Sequence, residues 1–207
     1  MLTLLRVEPA SPKRLMRKSP VRARRAPRPN ATLLCKRIAA DMVRKLPELS
    51  HVKAARILFV AGEARRGSRA TIRPLGESRI SLKGRRALYC VTLRPKFFRS
   101  SSPEQRIETL LHELLHISAE FDGKLHAGRR HSAIPKGKFE ALLRPLVRRY
   151  LADGDSVLLS GLAHDGEMVA RQWLERPAGR ASRKQAYTEK HLFLGPVQMI
   201  TRRKLHS

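Results

Sequence analysis

With 207 residues, 42% of them apolar and only 5% aromatic, the chain has enough material for one medium core and too little for two. Its 44 Lys and Arg against 17 Asp and Glu leave a formal charge of +27. Such a surface repels itself unless polyanions or counterions screen it, so nucleic acid is the first partner to expect. No apolar run approaches the roughly 18 to 20 residues of a membrane span, and the apolar stretch of MLTLLRVEP is too short for a secretory signal.

Residues 1–30 carry Lys13, Arg14, Arg17, Lys18, Arg22, Arg24, Arg25 and Arg28 among repeated prolines. Neither the strand nor the helix period survives there, so a disordered basic arm is predicted. Its Arg-rich, acid-poor composition is also compatible with a mitochondrial transit peptide. A helix follows. Asn30 is a suitable N-cap, and Leu34, Ile38, Met42 and Leu46 recur every fourth residue until Pro47. Cys35 on that stripe and Cys90 further on read as core thiols, which points to a reducing, cytoplasmic setting.

Three strands come next: RILFVAG at 56–62, SRATIRPL at 68–75 and RALYCVTL at 86–93. GEARRG reads as a hairpin connection between the first two, and GESRISLKGRR as a longer basic loop. The best-marked helix opens at Ser102, with Pro103 at its first position and Gln105 closing a capping box. It is expected to end at Phe121-Asp122-Gly123. A further helix runs through KFEALLRPLVRRYL, bent at Pro145. In residues 153–207, SVLLSGLAHDGEMVARQWLERP reads as a hairpin about Asp165-Gly166, with Trp173 on its apolar face. HLFLGPVQMITR reads as a strand pair, and AGRASRKQAYTEK as a basic loop.

The chemistry concentrates in LLHELLHISAEFDGKLHAGRRHS, residues 110–132. Residues four apart lie on one face of a helix, so His112 and His116 can offer two imidazole nitrogens to one ion. Glu113, beside the first of them, can reach a water on that ion. Zinc suits this set because it takes nitrogen and oxygen ligands and keeps an open position. Four residues compete for third ligand. Asp122 has a favourable offset, but Ala119 stands where a sharp turn would need Gly. Glu140 sits on the next helix, and His126 lies in mid-loop. His131 is preferred, because Ser132 and the residues after it lead straight into that helix, and a ligand at a helix entrance is rigidly placed. Tyr150 and His126 are candidates for stabilising an oxyanion, and RALYCVTL for an exposed sheet edge that holds substrate.

ILFVAGEARRGSRATIR, then SPEQRIETLLHELLHISAEFDGKL and a later His, resemble the small H-E-L-x-H metallopeptidases of phages and bacteria. The resemblance covers roughly Leu33 to Leu151. It implies a compact zincin-like α+β fold, zinc on His112 and His116, and Glu113 as base. More distantly the chain is similar to SprT-type proteases, which cleave DNA-bound proteins. In those a His followed by a small residue, shortly before a Phe, supplies the third ligand. His131-Ser132 and Phe139 are similar at a longer gap, and the four-cysteine ribbon of many SprT-type proteins is missing.

The sequence thus predicts a basic arm at 1–30 and a metallopeptidase domain at 31–152, with a short, mostly antiparallel sheet packed on the motif helix. A small β-rich extension at 153–207 completes it. The expected substrate is a peptide or protein, with nucleic acid bound through the arm and basic loops, no membrane, and no signal for oligomeric state. The rival reading is a basic nucleic-acid-binding protein whose zinc site is structural or vestigial. A nuclease is disfavoured, since the carboxylate cluster of two-metal chemistry is missing.

Overall fold

The structure, a computed structural model, describes residues 28–62, 68–76, 80–164, 166–172, 187–188 and 193–199. The arm through residue 27, Trp173 and most of the basic loop expected at 178–190 lie outside them. The fold is α+β. Helix α1 (Ala31–Lys45) begins where the Asn30 side chain accepts from the Leu33 amide at 2.9 Å and ends before Pro47. It buries Cys35, Ile38, Ala39 and Met42. No helix of the described residues is long and apolar enough to cross a membrane.

The central sheet has five strands in the order β2 (Ala70–Pro74), β5 (Tyr89–Leu93), β1 (Ile57–Ala61), β6 (Gly166–Gln172), β8 (Phe193–Met199). β1 runs parallel to β5 and β6, whereas β2 and β8 are antiparallel to their neighbours. The sheet is therefore mixed, not mostly antiparallel. The expected hairpin between the first two strands is also absent, because β5 lies between them. The physical reason is burial. β1 and β5 are covered on both faces along their whole length, as continuous apolar runs in central strands are. β2 alternates, ends in Pro74 and takes the edge, where a missing amide costs no ladder bond. RALYCVTL is thus interior and cannot be the exposed edge.

The two faces of the sheet have different covers. Ile57, Phe59, Tyr89, Val91 and Leu93 face the helices in the main core. Leu58, Val60 and Cys90 pack on Ile80, Leu82 and Ala87 behind it. That second layer comes from the stretch expected as a basic loop. It holds a small hairpin, β3 (Ile80–Leu82) and β4 (Arg85–Arg86), turned by Lys83 and Gly84 with φ of 49° and 78°, the type I′ pattern. β7 (Tyr187–Thr188) adds to β3.

After the short helix α2 (Pro95–Ser100), α3 (Pro103–Leu115) opens with the expected capping box. The Ser102 amide donates to Gln105 Oε1 at 3.0 Å, and the Gln105 amide donates to Ser102 Oγ at 3.2 Å. α4 (Lys136–Asp153) runs through Pro145 and packs Phe139, Leu143, Leu146 and Tyr150 inward.

Within the segment expected to be β-rich, whose described residues include β6, β7 and β8, two readings change. SVLLSGL is helix α5 (Ser156–Leu162), because Asp155 caps the Val157 and Leu158 amides, so the first arm of the expected hairpin is not a strand. HLFLGPVQMITR supplies one strand, β8, because Gly195-Pro196 is accommodated at an edge and does not turn. Both β6 and β8 extend the central sheet instead of forming a sheet of their own.

Asp41, 1% exposed, ties three helices together. Its carboxylate accepts from the Tyr150 hydroxyl and the Asp155 amide, each at 3.0 Å, and from Arg44 at 2.7 Å. Burial pushes the Asp41 carboxyl up, but these donors outweigh it and hold it below the usual carboxylate value. Asp41→Asn should cost about 2 kcal/mol in urea unfolding at neutral pH, the scale of hydrogen bonds to a charged group. Because the folded value is depressed, this stabilisation is complete above the unfolded value and is lost as pH falls through the folded one. The gap between wild type and Asp41→Asn should therefore narrow on acidification. A constant gap down to about pH 3 would show that the carboxylate charge does not hold the node.

Candidate metal centre

α3 supplies two imidazoles and then stops. Its C-cap is His116, five residues earlier than the Phe121 ending read from the sequence. The stop is tertiary. Ile117 bridges to Leu125, the Ser118 amide reaches the Lys124 carbonyl at 3.2 Å, and Phe121 adopts a φ of 50°. Tyr89 of β5 pins this reversal. Its hydroxyl donates to the Lys124 carbonyl at 2.8 Å and accepts from the Gly123 amide at 2.9 Å, and its ring packs on Phe121. Gly123, with a φ of 89°, provides a left-handed position that a side chain would resist.

The chain then returns along the end of α3. The His126 amide donates to the His116 carbonyl at 2.7 Å, and a 3₁₀ turn at Ala127–Arg129 leads to His131. The structure brings His131 back to the motif histidines. One ring nitrogen from each of His112, His116 and His131 lies within 4.8 Å of the others, and the Nε2 atoms of His112 and His131 are 3.3 Å apart. Two ligands of a tetrahedral ion at about 2.0–2.1 Å are separated by about 3.3 Å, so this pair has the spacing a metal requires. Phe139, buried in the first turn of α4, backs the cluster, with its ring 4.6 Å from His112 and 5.2 Å from His116.

His116 is the residue that best fits a metal. Its ring donates to the Arg129 carbonyl. The remaining nitrogen, Nε2, is buried without a hydrogen-bond partner. Buried polar atoms are rarely left so, and a metal-binding histidine characteristically donates its other N–H to a carbonyl or carboxylate. The pKa values agree. Burial, then the neighbouring charges of His116 and His131, bring His112 down to about 4. Burial, then His131, does the same to His116. Both rings are neutral lone-pair donors at neutral pH, as metal binding requires.

Glu113 points toward the sheet edge. Arg69 and Leu75 pair with β5 through Arg94 N to Arg69 O, 3.2 Å, and Leu75 N to Leu88 O, 2.8 Å. The amides and carbonyls of Ala70 and Ile72 therefore face away from β5. The Ile72 amide donates to the Glu113 carboxylate. Burial pushes the Glu113 carboxyl up to about 7, against the opposing pull of that amide and of Arg94. A cleft of about 380 Å³ opens here, between Ser68–Ala70, the His112 and Glu113 side of α3, and Lys136 and Phe139 of α4.

The other candidates are engaged elsewhere. Asp122 accepts from Ser118 Oγ at 2.6 Å and from the Lys124 amide at 3.0 Å, which holds its carboxyl at about 2. Glu140 lines the cleft but pairs with Lys136 and Arg144. His126 lies outside the imidazole cluster: its backbone amide bonds to the His116 carbonyl, and its Nδ1 is buried without a hydrogen-bond partner. Tyr150 is committed to Asp41, away from the cleft. Reasoning from sequence missed Arg129 and Tyr89. A basic residue in a loop and an aromatic in a strand carry no local mark of the contacts they make. Among the described residues, three histidines thus form a group that could hold a metal, beside a buried carboxylate and an open cleft.

No curated protein and no solved structure matches the chain. A family model described as "Putative phage metallopeptidase" matches residues 31–141, a span that holds α1, the strands β1 to β5, α3 and all three clustered histidines. That span is more than half of the chain, which therefore belongs to this phage metallopeptidase family.

Proposed function

We propose that the protein is a zinc metallopeptidase, with His112, His116 and His131 as ligands and Glu113 as general base. The orphaned, buried Nε2 of His116 carries this reading, since a bound ion satisfies it and nothing else nearby does. Zinc in this nitrogen-donor set would supply Lewis acidity to the scissile carbonyl and lower the pKa of water. Glu113 takes the proton of the attacking water as its oxygen adds to the carbonyl carbon, then gives it to the departing amine as the C–N bond breaks. A carboxyl pushed up to about 7 suits both tasks near neutral pH. The outward-facing backbone of Ala70 can hold an extended peptide as an added strand, leading it along the cleft past Glu113. A structural zinc site fits less well. It calls for four protein ligands and no open cleft, whereas the cluster here has three histidines beside one.

The charge of +27 supports a second element of the proposal, association with nucleic acid and action on proteins bound to it. Two buried free thiols, Cys35 and Cys90, suit a reducing, cytoplasmic setting.

Purified wild type should hold about one zinc per chain. His131→Ala should weaken zinc binding far more than His126→Ala or Asp122→Ala, measured by chelator competition. Equal losses in all three would remove His131 from the ligand set. Glu113→Gln should keep zinc and fold yet lose cleavage of casein or histone by at least about 100-fold, since an amide cannot take the proton of water. Cleavage at the wild-type rate would end the peptidase reading. Nucleic-acid affinity should fall steeply with salt through counterion release. Deleting residues 1–27, which stops short of the Asn30 cap, should flatten that slope and leave zinc in place. An unchanged slope would shift the binding surface to the folded part.

A further inference from the structure

The turn that carries the chain from His116 to His131 is fastened to the end of α3 at three points. The His126 amide covers the His116 carbonyl at 2.7 Å. The Arg129 guanidinium donates to the Leu115 carbonyl at 3.3 Å. The Arg129 carbonyl receives the His116 ring N–H. The first two bonds satisfy carbonyls that a helix end leaves without intrahelical partners, and they set a cation where the helix dipole is negative. The third acts on the imidazole whose other nitrogen is buried and unpartnered. One residue therefore grips the helix with its side chain and the ligand ring with its backbone. Arg129 is half-buried, whereas its neighbour Arg130 is exposed and no described contact engages its side chain.

We infer that Arg129 is a positioning residue for the metal centre. Its guanidinium locks the turn at 127–129 onto α3, and that lock holds the carbonyl which fixes both the tautomer and the orientation of the His116 ring. The inference rests on the metal-centre reading above. A turn released from Leu115 can drift by the few tenths of an ångström that separate a good ring-to-carbonyl bond from a poor one. The ring then turns freely, and its metal-facing lone pair loses its aim.

The test compares Arg129→Ala, Arg129→Lys and the control Arg130→Ala as full-length chains, using zinc affinity by chelator competition and the visible spectrum of the cobalt-loaded proteins. Arg129→Ala should bind zinc about 10- to 100-fold more weakly, the usual scale for losing the partner of a ligating histidine. Its cobalt bands should shift or weaken as the site loses its geometry. Arg129→Lys, which keeps a cationic donor within reach of Leu115, should recover most of the affinity, and Arg130→Ala should match wild type. Melting of the metal-free proteins separates this from a purely structural cap, which would lower the melting temperature and leave affinity and spectrum unchanged. If the alanine variant does not fold, Arg129→Gln decides, and it should still bind about tenfold more weakly than wild type. Wild-type affinity and spectrum in a folded Arg129 variant, or equal losses in Arg129→Ala and Arg130→Ala, would overturn the inference while leaving the metal centre standing. A wild-type chain that takes up neither zinc nor cobalt would overturn both.

Discussion

Three imidazole nitrogens within 4.8 Å of one another repel when protonated, and repel again when neutral if all turn their lone pairs to one point. They share a half-dehydrated cleft only if the surrounding chain fixes each ring independently, and most of the local architecture can be read as meeting that demand. Helical spacing fixes His112 relative to His116. The helix must then stop at once, so that the chain can come back across its own end with the third ring. Tyr89 enforces the stop from the centre of the sheet, through two hydrogen bonds and a ring contact to the reversing loop. Phe139 closes the arrangement from α4, at the far end of the same excursion.

The sheet serves the same arrangement from the other side. β1 and β5 are buried on both faces, so they can bear α1 and α3 on one side and the small hairpin layer on the other. Burial of that depth makes Tyr89 a rigid anchor. It also leaves β2, the least covered of the three, to face the cleft with the outward amide that meets Glu113. Glu113 therefore sits between an apolar helix face and a single backbone donor, an environment that raises its proton affinity without leaving its carboxylate unpartnered.

What could be read from the sequence follows the range of the interaction responsible. The pairing of His112 with His116 and the Ser102–Gln105 capping box are contacts between residues three or four apart, and the structure shows both. His131 is marked locally too, since it lies just ahead of a helix entrance. The end of α3 was misjudged because it is set by a tyrosine 35 residues before the carbonyl it holds. The hairpin joining β1 to β2 was misjudged because β5, nearly 30 residues later, enters between them. In SVLLSGL two cues competed: a β-branched, apolar run suggested a strand, and Asp155 at its head capped a helix. Lys83-Gly84, between ISL and RRAL, is the cue for the rear hairpin, hidden by the charges around it.

The two ends of the five-stranded sheet share one property. β2 closes with Pro74, whose missing amide falls on the outward side, and the outward Ile72 amide is already held by Glu113. β8, at the opposite end, carries Pro196 opposite Val169. Neither border offers an uninterrupted row of free amides along its described residues, so neither supports a continuous ladder with a second copy. An open peptide-sized border is ordinarily an invitation to self-association. Here the Glu113 carboxylate occupies the amide that a stray strand would need, which helps to close this border to fibril growth.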